Sequence, residues 1–124
     1  MTQDEILFFQ SMPQMLPLYR IFREKLDSMH PDVTAKVGKT QISLRNRYVF
    51  ATACLPWGKV KGWPSEYVLI SLGLSYHKEH PRIALAVEPY PNRWTHHILL
   101  TQPTDVDDTL MEWVEEAYQL AMVK

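Results

Sequence analysis

Cysteine is almost absent from this sequence: Cys54 stands alone among 124 residues. A single thiol closes no internal disulfide. Without a Cys-x-x-Cys pair the chain also offers no thiolate metal clamp and no dithiol redox centre. Cys54 lies in the apolar run from Val49 to Leu55, and the expectation is a buried, inert thiol, since reactive thiols sit in exposed electropositive surroundings. Glycine is scarce as well. Four scattered glycines build no phosphate-cradling loop and no dinucleotide fingerprint. Ser43, Ser71 and Ser75 lack the Gly-x-Ser-x-Gly elbow of a hydrolase nucleophile.

Net charge is missing too. Thirteen basic and fourteen acidic residues leave −1, so no global field draws the chain to nucleic acid or to an anionic membrane. Lys36, Lys39, Arg45 and Arg47, followed by Lys59 and Lys61, read as a solvated strand face and its turns. Asp4 and Glu5 stand where a secretory signal carries positive charge, and no long apolar run follows them. The expectation is a cytoplasmic protein without a membrane span.

What is present is an ordinary globular mixture, 46% hydrophobic and 22% charged. The length suits a single domain over residues 1–124. A chain of this size closes a core without metal or disulfide support. Thr2 with Glu5 forms a capping-box pattern and starts a helix near Gln3. Pro13 interrupts it. A second helix is expected from Gln14 to Met29, with Pro17 in its first turn. Leu18, Phe22, Leu26 and Met29 make its apolar stripe, and Arg20–Glu24 and Arg23–Asp27 pair on the wet side.

Alternation then predicts strands at Val33–Val37, Ile42–Arg45 and Tyr48–Leu55, joined by turns at Gly38-Lys39 and Asn46-Arg47. Such short connections make an antiparallel meander. Pro56 to Ser65 is a loop in which Trp57 and Trp63 are expected to cap the core, with walling a pocket as the alternative. Glu66–Leu74 is a fourth strand and Trp94–Leu100 a fifth. Ile83 to Val87 has no clear period, so helix and strand are not separable there. Thr104 or Asp105 is expected to cap a final helix whose stripe includes Leu110, Val114 and Ala117.

The richest stretch for chemistry runs from Pro81 to Leu100. It holds three prolines, adjacent histidines and the Tyr90, Arg93, Trp94 group. Glu88-Pro-Tyr-Pro-Asn-Arg is a stiff turn, because proline fixes the backbone. On a strand His96 and His97 point to opposite faces, so they do not act as a joint metal clamp. His77 and His80 have no carboxylate or thiol partner in the pattern. No metal and no cofactor are expected. Glu88 with a strand histidine would make an acid–base pair; the competing role of Glu88 is to fix the turn through Arg82 or Arg93.

Lys39-Thr-Gln-Ile-Ser, Tyr48-Val-Phe-Ala, Pro81-Arg-Ile and Glu88-Pro-Tyr-Pro-Asn-Arg-Trp-Thr-His-His together resemble a bacterial family classed as a domain of unknown function. Some of its relatives carry the label "predicted transport protein". The resemblance spans nearly the whole chain and implies a small bacterial cytoplasmic α+β domain, with no activity attached. More distantly, the helix–meander–helix order is similar to frataxin-like iron chaperones. The acids here are dispersed rather than gathered on a helix ridge, which speaks against iron handling.

The sequence thus predicts a two-layer α+β domain. One mostly antiparallel sheet of about five strands is covered on one face by the N-terminal and C-terminal helices. The other face carries Gln41, Ser43, Arg45 and one histidine. The expected function is a binding module for a small anionic ligand or a nucleic-acid end. Lys39, Gln41, Arg93 and one of His96 and His97 would converge on the anion. A partner-protein adaptor, with an apolar patch at Trp57 and Trp63, and an acid–base enzyme are the alternatives.

Overall fold

A computed structural model describes residues 1–123. The N-terminal capping box forms as the sequence implies. The Glu5 N–H donates to Thr2 Oγ1 at 3.2 Å, and Thr2 N–H donates back to Glu5 Oε1 at 2.8 Å. This opens helix α1 (Gln3–Phe8). Pro13 begins a 3-10 turn, Pro13–Met15, and helix α2 (Leu16–Met29) follows with Pro17 in its first turn. The helix thus starts two residues later than its pattern suggests, because the 3-10 turn takes up Gln14 and Met15.

Arg23 departs from expectation. It pairs with Asp27 at 2.7 Å, but it is buried rather than on the wet side, because Glu5 of α1 accepts its Nε–H at 2.9 Å. Glu5 is fully buried and also accepts from the Tyr19 hydroxyl. A six-residue helix has too few turns to hold itself, and this polar lock fastens it to α2.

Six strands form one antiparallel sheet: β1 (Thr34–Val37), β2 (Ile42–Arg45), β3 (Val49–Cys54), β4 (Val68–Leu74), β5 (Ile83–Tyr90) and β6 (Arg93–Leu100). Their order is β1-β2-β3-β4-β6-β5. The strand beyond the expected five is β5, in the stretch whose period was ambiguous. It lies at the sheet edge, where Pro89 removes no ladder bond that the sheet needs. The β5–β6 turn is closed by Pro91 and Asn92. Asn92 adopts a left-handed φ of 61°, a conformation asparagine tolerates better than most residues.

Helix α3 (Asp108–Met122) closes the chain. Its cap is Asp107, whose carboxylate accepts the Leu110 N–H at 2.9 Å. Asp105 is taken by the preceding 3-10 turn, Pro103–Asp105, where it accepts from the Thr101 and Gln102 N–H groups. That is why capping passes two residues onward.

The register separates the two sheet faces. Ala35, Leu44, Ala51, Leu72, His96 and Ala86 lie side by side on the face under the helices. Phe22, Leu26, Leu110, Val114 and Ala117 pack there in one hydrophobic cluster. The next row, Lys36, Ser43, Thr52, Ser71, His97 and Leu85, lies on the opposite face. The result is an α+β fold. No helix among the described residues is long and apolar enough to cross a membrane.

Candidate functional site

The β5–β6 hairpin and the last turns of α3 enclose a cavity of about 590 Å³. Tyr90, Asn92, Arg93, Trp94 and Thr95 form one side, with Leu74 and Ser75 at the end of β4. Ala117, Leu120 and Ala121 of α3 form the facing wall, and Phe50 lies between. Two alanines one turn apart on α3 leave room that larger residues of the same stripe would fill. A bulge between β2 and β3 accompanies Phe50, which is buried edge-on to Tyr118 of α3 at 5.2 Å.

The turn that carries Arg93 is braced. Glu88 accepts the Asn92 N–H at 3.1 Å, and prolines stand at 89 and 91. Glu88 therefore fixes the turn through a backbone group rather than through Arg82, which pairs with Asp107 at 2.7 Å. Among the described residues Arg93 itself has neither an ion-pair nor a hydrogen-bond partner.

Behind Trp94 lies a layer of aromatic and titratable groups. His77 stacks on Trp94 with ring centres 4.7 Å apart, and it is near-parallel to His96 at 6.3 Å. The Lys78 N–H donates to His96 Nε2 at 2.9 Å, so that nitrogen carries no proton and Nδ1 bears the ring hydrogen. His96 Nδ1 is buried and unpartnered among the described residues. Burial, then the neighbouring His77 and Lys78, pushes the His96 pKa down. Burial disfavours the Lys78 charge, but the Tyr76 hydroxyl and the Glu116 carboxylate at 3.1 Å outweigh it and raise its pKa.

Lys39, Gln41, Arg93 and one strand histidine, expected to converge, do not share one site. His96 is 1% exposed on the helix-covered face, out of reach of a ligand. His97 is half-buried on the other face, where its Nδ1 and Ser71 Oγ are hydrogen-bonded at 2.7 Å; burial lowers its pKa. The Gln41 amide donates to Ser43 at 3.3 Å. Lys39 lines a separate cavity of about 610 Å³, with Asp4, Phe8, Leu55 and Trp57. In the register Ile42 aligns with Ile98, five residues along β6 from Arg93. That is roughly 17 Å along the strands, and three strand spacings add roughly 14 Å across them. The β1–β2 turn that bears Lys39 lies at the far end, so one small anion does not touch both cations.

Trp57 does not cap the core. It is 89% exposed at the rim of the Lys39 cavity, while Trp63 is half-buried and edge-on to Tyr67 at 5.7 Å. Among the described residues neither strand histidine bonds a carboxylate. Histidine–carboxylate pairs form elsewhere. His30 Nε2 lies 2.5 Å from Glu115, with its ring stacked on Tyr118. His77 Nδ1 lies 3.9 Å from Glu79, a loop partner the sequence pattern did not offer. None of these four paired residues lines either cavity. Among the described residues no cluster of three or more His, Cys, Asp or Glu side chains is arranged to hold a metal ion.

The Ser71–His97 contact was hidden in the sequence because it depends on the pairing of β4 with β6. The α3 wall was visible only as a stripe of small residues.

A family model described as a domain of unknown function, DUF5655, matches residues 8–121. The chain belongs to this family. The match covers every strand, α2 and nearly all of α3, and with them most of the walls of both cavities; Asp4 and Leu7 of the Lys39 cavity and Val123 of the other lie outside it. No curated protein and no solved structure matches the chain.

Proposed function

We propose that the chain is a binding module for a small ligand with a carboxylate or phosphate group, held in the cavity between the β5–β6 hairpin and α3. The observation that carries this reading is Arg93: a guanidinium without a partner among the described residues, on a braced turn, lining a cavity with largely apolar and aromatic walls. Ligand sites commonly have this make-up, with apolar walls and a few placed polar groups. A guanidinium fork suits carboxylate and phosphate. The braced turn lowers the entropy lost when the side chain orders on an anion.

Tyr90 and Trp94 favour a ligand with a flat apolar body beside its charge. The terminal phosphate of a nucleic acid shares that anionic chemistry, but the near-neutral chain supplies no stripe of cations along which a polynucleotide would run. The lone free thiol suits a reducing, cytoplasmic setting.

Phenyl phosphate and benzoate test the reading by titration against native tryptophan fluorescence. Binding to the wild type should weaken by about 10–100-fold in Arg93→Gln, the loss of a hydrogen bond to a charged group. Equal binding to both proteins, or none to either, contradicts the proposal.

A further inference from the structure

The sheet face turned away from the helices has an unusual composition. Cys54, Leu69 and Leu99 align across it in one row, Thr52, Ser71, His97 and Leu85 in the next, and Gly73, Thr95 and Val87 in a third. None of these is an acid, a lysine or an arginine. Leu85 and Val87 are 46% and 40% exposed. A solvated face of an antiparallel sheet ordinarily alternates to polar and charged residues. Depletion of charge at the centre marks a surface that is covered by protein.

We infer that this face is the contact surface of a symmetric dimer, with a second copy of the chain packed sheet to sheet upon it. Two arguments select a second copy over another partner. A two-fold contact brings the same patch against itself, so residues near the axis meet their own kind. Any charge there would face a like charge. A foreign partner imposes no such rule, because it would supply the opposite sign. A self-contact therefore requires the charge-free centre found here, and the cations Lys36 on β1 and Arg45 on β2 lie off-centre, toward the β1 edge.

The area is the second argument. Six strands at about 4.8 Å spacing and about 3.3 Å per residue give a face of roughly 600 Å² with its corrugation. Two copies would bury about 1,200 Å², the lower end of the range for stable specific interfaces. The Ser71–His97 hydrogen bond satisfies the hydroxyl and one ring nitrogen within each copy, so covering these groups leaves fewer polar atoms unpaired.

Sedimentation velocity on the full chain gives the test, across concentrations up to about 100 μM. The wild type should approach twice the chain mass. Ser71→Arg and, separately, Leu69→Arg should weaken association by about 100-fold or more, since like charges placed across an interface cost several kcal/mol. Circular dichroism melts identify which variants remain folded. Cys54 lies on the same face, so its labelling by a thiol reagent should slow as protein concentration rises. A wild type that stays monomeric throughout overturns the inference. So does a dimer that survives both folded arginine variants, which would point to pairing along the β5 edge instead, and so does Cys54 labelling independent of concentration.

Discussion

The backbone N–H of Lys78 donates to Nε2 of His96 at 2.9 Å, so a buried imidazole on β6 holds down the loop that follows β4. The bond requires an unprotonated Nε2. His77, one residue earlier, stacks on Trp94 at the cavity wall. The neutral state of His96 thus supports the loop behind the candidate site.

Acid should loosen the fold in a defined window. Burial, the largest cause for both residues, holds His96 and His97 below the ordinary 6.5 in the folded protein. The unfolded chain takes up protons that the folded one refuses, so this stability is complete above about pH 6.5 and is lost as pH falls below it. Denaturation midpoints should drop between about pH 8 and about pH 5.5, and His96→Gln with His97→Gln should flatten that slope. An unchanged slope in the double variant contradicts the assignment.

The Glu5 lock should matter more than its place in a six-residue helix suggests. Burial opposes the Glu5 charge, but the Tyr19 hydroxyl, the Thr2 N–H and the Arg23 guanidinium outweigh it and hold its carboxyl below the usual range. Glu5→Ala leaves Arg23 buried with its main partner gone. The expected loss in urea denaturation is about 3–5 kcal/mol, the range for removing one member of a buried pair. A loss below about 1 kcal/mol would show that α1 is not fastened this way.

The core was readable from periodicity, and its cost should be ordinary. Leu26 and Leu110 are both fully buried in the helix–sheet cluster. Leu26→Ala and Leu110→Ala should each destabilise by about 2–5 kcal/mol. Losses below about 0.5 kcal/mol at both would mean that these stripes do not face the sheet.

The fold was largely legible because helix stripes and strand alternation are local signals. Phe22 and Leu26 recur at helical spacing, and Ile42 and Leu44 alternate, before any tertiary contact is known. Ile83–Tyr90 was harder. Edge position and two bulges blur its alternation, and only pairing with β6 makes it a strand. The split of His96 from His97 followed from strand geometry alone. The separation of Lys39 from Arg93 did not, since it depends on the strand order and register across the sheet. The burial of Arg23 was hidden for a related reason: its partner, Glu5, lies eighteen residues away on another helix.

Chemical-shift mapping of the amide spectrum with phenyl phosphate tests the central claim most directly, because it reports where an anion sits as well as whether it binds. Perturbations should gather at Tyr90, Asn92 to Thr95 and the facing turns of α3 around Ala117 and Ala121, and should largely vanish in Arg93→Gln. Perturbations centred instead on Gly38 to Thr40 at the Lys39 cavity, or no perturbation at ligand concentrations of about 10 mM, a dissociation constant weaker than about −3 kcal/mol of binding, would contradict it.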